Sequence, residues 1–248
     1  MLKNTALITG ASKRIGREMA IFLAQKNYDL VLHHNNSKQE ALNLQAEITD
    51  KYPVKCHLVS FDLLDIKQVE NSASIFADFS INLLINNASI FPKSQFLNQQ
   101  QWHQFADNLN IHLVAPLVLA RHFTHHCLQK KLPQAQIINM LDKNIARYDT
   151  AYFFYLLSKK FLAEATKMLS LELAPHIRVN GIAPGFILSS VGESNPQAEQ
   201  EKIAKIIPLK NIGNASKITS ALDFLLNNDF ITGQIIFVDG GASLNHAG

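Results

Sequence analysis

A tyrosine and a lysine four residues apart are the side chains whose spacing most directly indicates acid–base chemistry. Tyr155 and Lys159 lie in a segment with helical periodicity, and on a helix the side chains at i and i+4 share one face. A free phenol, with a pKa of about 10, exchanges protons poorly near neutrality. An ammonium about 4 Å away, at an effective dielectric near 20, favours the phenolate by on the order of 4 kcal/mol. We therefore expect Lys159 to lower the pKa of Tyr155, with desolvation opposing it.

A glycine-containing turn near the N-terminus is the second feature with a recognisable chemistry. Gly10 permits a tight turn directly after an apolar run, and Gly16 lets the start of the next amphipathic segment approach a sheet. Exposed N–H groups at such a helix start favour a pyrophosphate. A plain strand-to-helix turn carries similar glycines, but the presence of the Tyr155–Lys159 pair favours a dinucleotide site. The turn residues expected to contact the cofactor are Gly10, Ser12, Lys13, Arg14, Ile15 and Gly16.

The type of dinucleotide is indicated by Arg14 and by the end of the second apolar run. Arg14 stands where a third glycine often lies, and its guanidinium suits a phosphate on the adenosine ribose. NAD-selective sites usually place a carboxylate at the end of the second strand, whereas this chain has no acid there until Glu40. The residues found there are either donors to a ribose phosphate or merely exposed loop residues: His33, His34, Asn35, Asn36 and Ser37. We therefore expect NADPH as the cofactor.

Short β-rich runs alternate with amphipathic helical runs along the chain, which indicates an α/β fold. We predict a single domain over residues 1–248, a Rossmann-type doubly wound parallel sheet of about seven strands with helices on both faces. Helices are expected over about 99–129 and 151–173, and a shorter one over Ile66–Phe76. The predicted strands are Thr5–Ile8, Tyr28–His33, Lys55–Phe61, Ile81–Ile85, Gln136–Asn139, Arg178–Ile182 and Gln234–Val238.

A polar segment over about 186–208 is the longest stretch without a clear sheet strand. Long irregular connections in compact domains are often functional. We interpret this one as a substrate lid, with an ordinary surface helix and loop as the alternative.

Composition and short motifs argue against nucleic acid, membranes and metal ions as binding partners. The chain has 47% hydrophobic and 17% charged residues and a net charge of +3, without the dense basic face that nucleic-acid binding requires. The apolar stretch Leu113–Ala120 is too short to span a bilayer. Two lone cysteines favour a reducing compartment, so we expect a cytoplasmic protein. From the charge and the short apolar stretch we expect that it binds neither nucleic acid nor membrane. The spacing of His122, His125 and His126 is compatible with a metal, but no carboxylate in that segment completes a set, and we expect no metal site.

Together these features resemble the short-chain dehydrogenase/reductase superfamily over essentially the whole chain. Further matching segments are Asp62-Leu63, Asn86-Asn87-Ala88, Arg178-Val179-Asn180, Pro184-Gly185 and Val238-Asp239-Gly240-Gly241. The resemblance implies that Asp62 and Leu63 lie by adenine, and that Lys159 holds the nicotinamide ribose. It also places Asn86, Ala88 and Ser89 along the cofactor and Pro184, Gly185 and Ile187 beside the nicotinamide. Members of the superfamily usually form tetramers through the two long helices, so we expect a homotetramer.

Within the superfamily the chain is most similar to pteridine and dihydromonapterin reductases. The matching residues are Arg14, His33, Ser37, the run Asn86-Asn87-Ala88-Ser89-Ile90-Phe91, and Met140-Leu141-Asp142. Most short-chain reductases have serine at the position of Asp142. The resemblance implies that Asp142 and Tyr155 protonate a ring nitrogen, that Phe91 stacks on the pterin, and that Ser89 and Arg14 contact its polar edge. The alternatives are a strand-end cap for Asp142 and plain core packing for Phe91.

Two positions depart from the pattern of the superfamily. The asparagine usual in the long central helix is replaced by His112, with Asn110 as an alternative occupant of that role. That asparagine helps to hold a water chain beside the lysine, so its loss puts the proton relay in doubt. Asn36 replaces an arginine of some pteridine reductases, which bears on the preference for NADPH over NADH.

The resulting functional hypothesis is an NADPH-dependent reductase of a small-molecule pterin, such as dihydromonapterin, dihydrobiopterin or dihydrofolate. A reductase of 3-oxoacyl thioesters or other ketones is the second hypothesis, against which Asp142 argues because a ketone oxygen needs a hydroxyl donor there. A cofactor-binding regulatory protein with little turnover is the third, against which the intact Tyr155 and Lys159 argue.

Overall fold

The computed structural model describes residues 3–188 and 197–244, and within them seven strands form one parallel sheet. A separate pair of two-residue strands, β7 and β8, lies beside it. The strands are β1 (Thr5–Ile8), β2 (Asp29–His34), β3 (Cys56–Ser60), β4 (Leu83–Asn86), β5 (Ala135–Met140), β6 (Ile177–Pro184), β7 (Ile187–Leu188), β8 (Gly213–Asn214) and β9 (Ile235–Val238).

Helices cover both faces of this sheet. One core contains Met19 and Leu23 of the first helix with Leu222 of the last, and the other contains Phe76 and Phe123 on the opposite face. The helices are α1 (Arg14–Gln25), α2 (Lys38–Lys51), α3 (Ile66–Asn71), α4 (Ala73–Asp78), α5 (His103–Leu109), α6 (Ala115–Lys130), α7 (Phe153–Glu172), α8 (Gln197–Ile206) and α9 (Ala215–Asn227). Short 3-10 helices occupy Gln99–Gln101 and Lys143–Ala146, and a π-helical turn occupies Asn110–Val114. The predicted α/β, doubly wound class is confirmed.

The order of the strands places a cleft at the centre of the sheet. The order is β3-β2-β1-β4-β5-β6-β9, so the chain reverses its winding direction between β1 and β4. Ile8 pairs with Leu32 on one side and with Ile85 on the other. In open parallel sheets, ligands bind beyond the carboxyl ends of the strands at such a switch point.

Two predicted helices differ from the structure, and the predicted lid lies partly outside the described residues. The helix predicted over 99–129 is interrupted by the π-helical turn just before Pro116, which has no N–H to donate to the carbonyl of His112. The helix predicted over Ile66–Phe76 breaks at Ser72, whose hydroxyl bonds the carbonyl of Val69 at 2.6 Å. The segment predicted as a lid contains β7 and α8, while residues 189–196 lie outside the described residues.

Candidate active site

A cleft of about 710 Å³ opens at the carboxyl ends of β1, β4 and β5. It brings together most of the residues singled out from the sequence, and Asn87, Leu64, Ile90, Ile111, Met140 and Leu141 join them in its lining. The predicted residues that line it are Gly10, Lys13, Arg14, Ile15, Gly16, His33, Asn35, Asn36, Asp62, Leu63, Ala88, Ser89, Phe91, Asp142, Tyr155, Lys159, Pro184 and Gly185.

The turn after β1 requires both of its glycines. Gly10 has φ +60°, and a Cβ there would lie 2.9 Å from the Cα of Ala88. A Cβ on Gly16 would lie 2.4 Å from the carbonyl oxygen of Gly10. Arg14 also has a positive φ, of 50°, at the position where a third glycine often stands. The turn after β1 therefore packs too closely against Ala88 and against its own backbone to accept a side chain at either glycine.

His33 holds the turn after β1 in place through a hydrogen bond to its backbone. It is buried, its Nδ1 accepts from the backbone N–H of Gly10 at 3.2 Å, and its Nε2 lies 2.9 Å from the carbonyl of Phe61. Burial is the main cause that lowers the pKa of His33 to about 4. Because both ring nitrogens are engaged with backbone groups, His33 in this position offers no N–H to a ribose phosphate. Its place is that of a positioning residue, whereas the sequence suggested a donor to the phosphate.

Five predicted cofactor residues lie outside the lining of the cleft. Ser12 and His34 are buried, Ser37 precedes α2, and Ile187 lies in β7. Asn86 lies at the end of β4 with its Nδ2 donating to Oδ1 of Asn139 at 2.8 Å. Its Oδ1 is buried and has no hydrogen-bond partner among the residues that the structure describes.

Asn87, directly after β4, bonds to the turn after β1, and the sequence analysis gave this residue no role. Its Nδ2 donates to the carbonyls of Thr9 and Gly10 at 2.9 and 3.0 Å, and its N–H donates to the hydroxyl of Thr9 at 2.9 Å. These bonds join the end of β4 to the turn after β1. The signal was present in the run of two asparagines after the fourth strand, but the partners become visible only in three dimensions.

Tyr155 and Asp142 form a hydrogen-bonded pair at the centre of the cleft. The phenol donates to Oδ2 of Asp142 at 2.8 Å, while Oδ1 accepts from the N–H of Asn144 at 2.7 Å. Asp142 therefore caps the 3-10 helix that starts at Lys143 and also contacts the phenol. The cap predicted as an alternative is confirmed, while a catalytic role for Asp142 stays a prediction.

Lys159 lies one helical turn beyond Tyr155 but does not contact the phenol hydroxyl. Its ammonium is buried, donates to the carbonyl of Met140 at 2.8 Å and lies 6.0 Å from the centroid of the Tyr155 ring. Burial lowers the pKa of Lys159 to about 8, and the charge of Asp142 opposes that shift.

The expected lowering of the Tyr155 pKa is wrong for this structure. Burial raises the pKa of Tyr155 well above 10, the charge and hydrogen bond of Asp142 raise it further, and a hydrogen bond to Ser89 opposes them. Desolvation and the nearby carboxylate outweigh a lysine that is held against Met140. Tyr155 is therefore a protonated phenol at neutral pH, which is the form that donates a proton.

Phe91 presents an aromatic face at the mouth of the cleft. Its side chain is 55% exposed, so plain core packing does not describe it. The ring is stacked on Tyr152 at 4.2 Å between centroids and meets Tyr155 edge to face at 4.5 Å. Tyr152, which lacks a lysine at i+4, thus has an aromatic contact of its own at the site. The arrangement suits a flat ring placed beside Tyr155.

Comparison with known proteins agrees with this geometry. The family described as enoyl-(acyl carrier protein) reductase, a group of short-chain dehydrogenases/reductases, matches residues 10–243. This chain belongs to the short-chain dehydrogenase/reductase family. Its fold, its glycine turn and its Tyr155–Lys159 pair are those expected of the family from the sequence.

Relatives within the short-chain dehydrogenase/reductase family include enzymes of two kinds. The 3-oxoacyl-[acyl-carrier-protein] reductase FabG of Staphylococcus epidermidis is 29% identical, over 97% of this chain and 99% of its own. Pteridine reductase 1 of Leishmania tarentolae is 28% identical, over 98% and 97%. The structure of FolM alternative dihydrofolate reductase 1 from Brucella canis, complexed with NADP, superposes with a TM-score of 0.87 at 29% identity, covering 99% of this chain and 96% of that one.

The described part of the chain contains neither a metal-binding cluster nor a membrane-spanning helix. Among residues 3–188 and 197–244, no group of three or more His, Cys, Asp or Glu side chains is arranged to hold a metal ion. No described helix is both long enough and apolar enough to cross a membrane.

Proposed function

We propose that this chain is an NADPH-dependent reductase of pterins. The observation that carries the proposal is the hydrogen bond from Tyr155 to Asp142, which places a proton donor and a carboxylate side by side in the cleft. The stacked aromatic face of Phe91 beside them suits a flat heteroaromatic ring. Pteridine reductase 1 and the two Brucella FolM structures are relatives whose names agree with this chemistry.

The residues of the cleft fit the proposed cofactor. Gly10 and Gly16 let the turn after β1 pack closely, and the turn and the start of α1 line the cleft, where N–H groups favour a pyrophosphate. Arg14, Asn35 and Asn36 lie exposed at the end of the cleft beside β2 and would face the ribose phosphate. Both relatives from Brucella were solved with NADP.

The proposed chemistry is the addition of a hydride and a proton across a C=N bond. Bound NADPH would supply the hydride to the ring carbon. The raised pKa of Tyr155 keeps the proton on Oη at neutral pH. Tyr155 would donate this proton to the ring nitrogen as the hydride reaches the neighbouring carbon. Asp142 orients that hydroxyl from one side and can accept an N–H of the ring from the other. Lys159 holds a positive charge near the phenolate that is left behind.

A 3-oxoacyl-thioester reductase is the second candidate, because FabG relatives match with comparable identity. The position of Asp142 argues against this function. Asp142 accepts a hydrogen bond from Tyr155, whereas a ketone reductase would need a second hydroxyl donor at this position. An ionised carboxylate beside the substrate oxygen also opposes the negative charge that develops there.

A substrate panel separates these functions. Purified protein is mixed with NADPH and, in turn, with 7,8-dihydrobiopterin, dihydromonapterin, dihydrofolate and a 3-oxoacyl thioester, and the absorbance of NADPH is followed. Turnover of the pterins alone agrees with the proposal. Turnover of the thioester alone contradicts it, and binding of NADPH without any turnover supports a regulatory protein.

We also propose that the reductase assembles as a homotetramer through α6 and α7. Both helices expose apolar side chains, including Leu128 of α6 and Phe161, Met168 and Leu171 of α7, the last of them 82% exposed. Exposed apolar patches of this kind mark contact surfaces. Sedimentation velocity at micromolar concentration tests the assembly, and Met168→Glu with Leu171→Glu should dissociate it.

A further inference from the structure

His112, which stands where the family usually has asparagine, joins three elements around the cleft. Its Nε2 lies 2.8 Å from the hydroxyl of Ser89 and accepts from the N–H of Ile90 at 3.3 Å. Its Nδ1 lies 2.9 Å from the hydroxyl of Ser158 on α7. The ring itself belongs to the π-helical turn and is almost fully buried, with 1% exposure. Both nitrogens are therefore engaged, one toward the loop after β4 and one toward α7.

The partners of the ring fix its tautomer. The backbone N–H of Ile90 can only donate, so Nε2 must carry a lone pair. Ser158 uses its own proton to donate to the carbonyl of Tyr155 at 2.7 Å, so its oxygen accepts from Nδ1. The two arguments are independent and both place the single ring proton on Nδ1. Burial and the charge of Lys159 keep the ring neutral by holding the pKa of His112 well below its usual range.

This tautomer determines what Ser89 offers to the cleft. Two lone pairs cannot face each other at 2.8 Å, so the single hydroxyl proton of Ser89 points at Nε2 of His112 in preference to its two other neighbours, the carbonyl of Ile90 at 3.2 Å and the phenol oxygen of Tyr155. The oxygen of Ser89 is then left with lone pairs, and the residue is exposed at the cleft beside Tyr155. Asp142, on the other side of the phenol, is likewise an acceptor. Acceptors therefore flank the proton donor on both sides.

We propose that His112 is a positioning residue that holds the Ser89 hydroxyl as a hydrogen-bond acceptor toward the cleft, and that this selects ligands presenting an N–H or O–H donor there. The statement about ligands rests on the proposed function, because a pterin carries amino and ring N–H donors along its edge. The statement about His112 and Ser89 does not. A ketone substrate, whose reacting group only accepts, gains nothing from this arrangement.

The tautomer is tested by NMR on protein labelled with ¹⁵N-histidine, free and with NADPH, using His112→Asn to assign the resonances. We expect the proton on Nδ1, with Nε2 at the position of an unprotonated nitrogen. In Ser89→Ala, Nε2 should move toward the value of an imidazole nitrogen that accepts no hydroxyl proton. A proton on Nε2 overturns the proposal, and so does an Nε2 chemical shift that does not change in Ser89→Ala. Neither result depends on which substrate the protein binds.

The effect on the ligand is tested with a double-mutant cycle on 7,8-dihydrobiopterin. Ser89→Ala and His112→Asn should each raise KM by about tenfold, and the double variant should be no worse than either, because His112 acts through Ser89. His112→Gln, whose longer amide can still accept from Ser89, should recover part of the loss. The Kd for NADPH should stay within about threefold, which separates positioning from a general structural role.

Multiplicative losses in the double variant, or equal losses of pterin and NADPH binding in His112→Asn, overturn the inference. Absence of pterin turnover in the unmodified protein contradicts the proposed function instead, while the NMR result still decides the tautomer of His112.

Discussion

The phenol of Tyr155 donates to Oδ2 of Asp142 at 2.8 Å, across the gap between the start of α7 and the end of β5. In the resting site the phenol stays protonated, because the burial of the ring and the carboxylate both raise the pKa of Tyr155. The same carboxylate partly offsets the cost of burying Lys159, whose pKa its charge raises. One aspartate thus connects the proton donor, the buried cation and the adjoining 3-10 helix.

Removal of the phenol hydroxyl should abolish turnover without disturbing the fold. Tyr155→Phe removes the donated proton and is expected to lower kcat by about 10²- to 10⁴-fold, the range of a general acid. Steady-state kinetics with NADPH and 7,8-dihydrobiopterin measures the loss, and cofactor fluorescence measures NADPH affinity. Tyr152→Phe is the matched control, since it keeps the ring stacked on Phe91. Equal activity in Tyr155→Phe and the unmodified protein would remove Tyr155 from the chemistry.

The buried ammonium of Lys159 should make stability depend on alkaline pH. Its pKa is about 8 in the folded chain against 10.5 ordinarily, so between these values the unfolded chain binds more protons. The free energy of unfolding should therefore rise with pH in this window, by roughly 3 kcal/mol from this group. Urea unfolding of the unliganded protein at pH 7.5 and 10 measures the rise, and Lys159→Met should flatten it. The exposed Lys167→Met is the control, and an unchanged slope in Lys159→Met would contradict the shift.

His33 should make the free energy of unfolding depend on pH in the acid range. Its pKa is lowered from 6.5 to about 4 in the folded chain, so the unfolded chain takes up a proton first as pH falls. The free energy of unfolding should decrease between pH 6.5 and 4, by roughly 3 kcal/mol from this residue. His33→Gln, whose amide can still accept and donate, should reduce the decrease when urea unfolding is compared at pH 7 and 4.5. The exposed His103→Gln is the control, and a loss of stability equal to that of the unmodified protein would argue against the assignment.

The proposed preference for NADPH can be reversed at the end of β2. Asn36→Asp adds a negative charge beside the proposed position of the ribose phosphate and should weaken NADPH by about tenfold or more. The affinity for NADH should remain within about twofold, because it lacks that phosphate. Fluorescence titration with both cofactors provides the comparison, and Asn36→Ser is the uncharged control. A parallel loss of both affinities would place Asn36 away from the phosphate.

Much of the fold could be predicted from the sequence, because hydrophobic periodicity and turn residues specify strands and helices locally. The seven strands of the sheet lie within two residues of their predicted bounds at each end. The π-helical turn before Pro116 was not predicted, since an unbroken apolar periodicity continues through it. A helix interruption of this kind depends on which carbonyls lose their donors, which a periodicity analysis does not register.

The sequence predicted which residues line the cleft better than it predicted their pKa values and hydrogen bonds. Spacing predicted the Tyr155–Lys159 pair and the resemblance to pteridine reductases added Asp142, and all three line one cleft. The direction of the Tyr155 pKa was wrong because burial and the charge of Asp142 raise it. Lys159 meanwhile donates to the carbonyl of Met140, a contact that depends on how β5 meets α7. His33 likewise was placed correctly at the cleft, but its engagement with Gly10 and Phe61 could not be seen from its own strand.

The most direct test of the account compares two substrates in one variant. The ratio of kcat/KM for 7,8-dihydrobiopterin to that for a 3-oxoacyl thioester is measured in the unmodified protein and in Asp142→Ser, together with the Kd for NADPH. Asp142→Asn, which retains an acceptor without the charge, is the matched control. We predict that the unmodified protein favours the pterin, and that Asp142→Ser lowers pterin kcat/KM by about 10²-fold or more while the Kd for NADPH changes little. A preference for the thioester in the unmodified protein, or equal losses of pterin turnover and NADPH affinity in Asp142→Ser, would contradict the account.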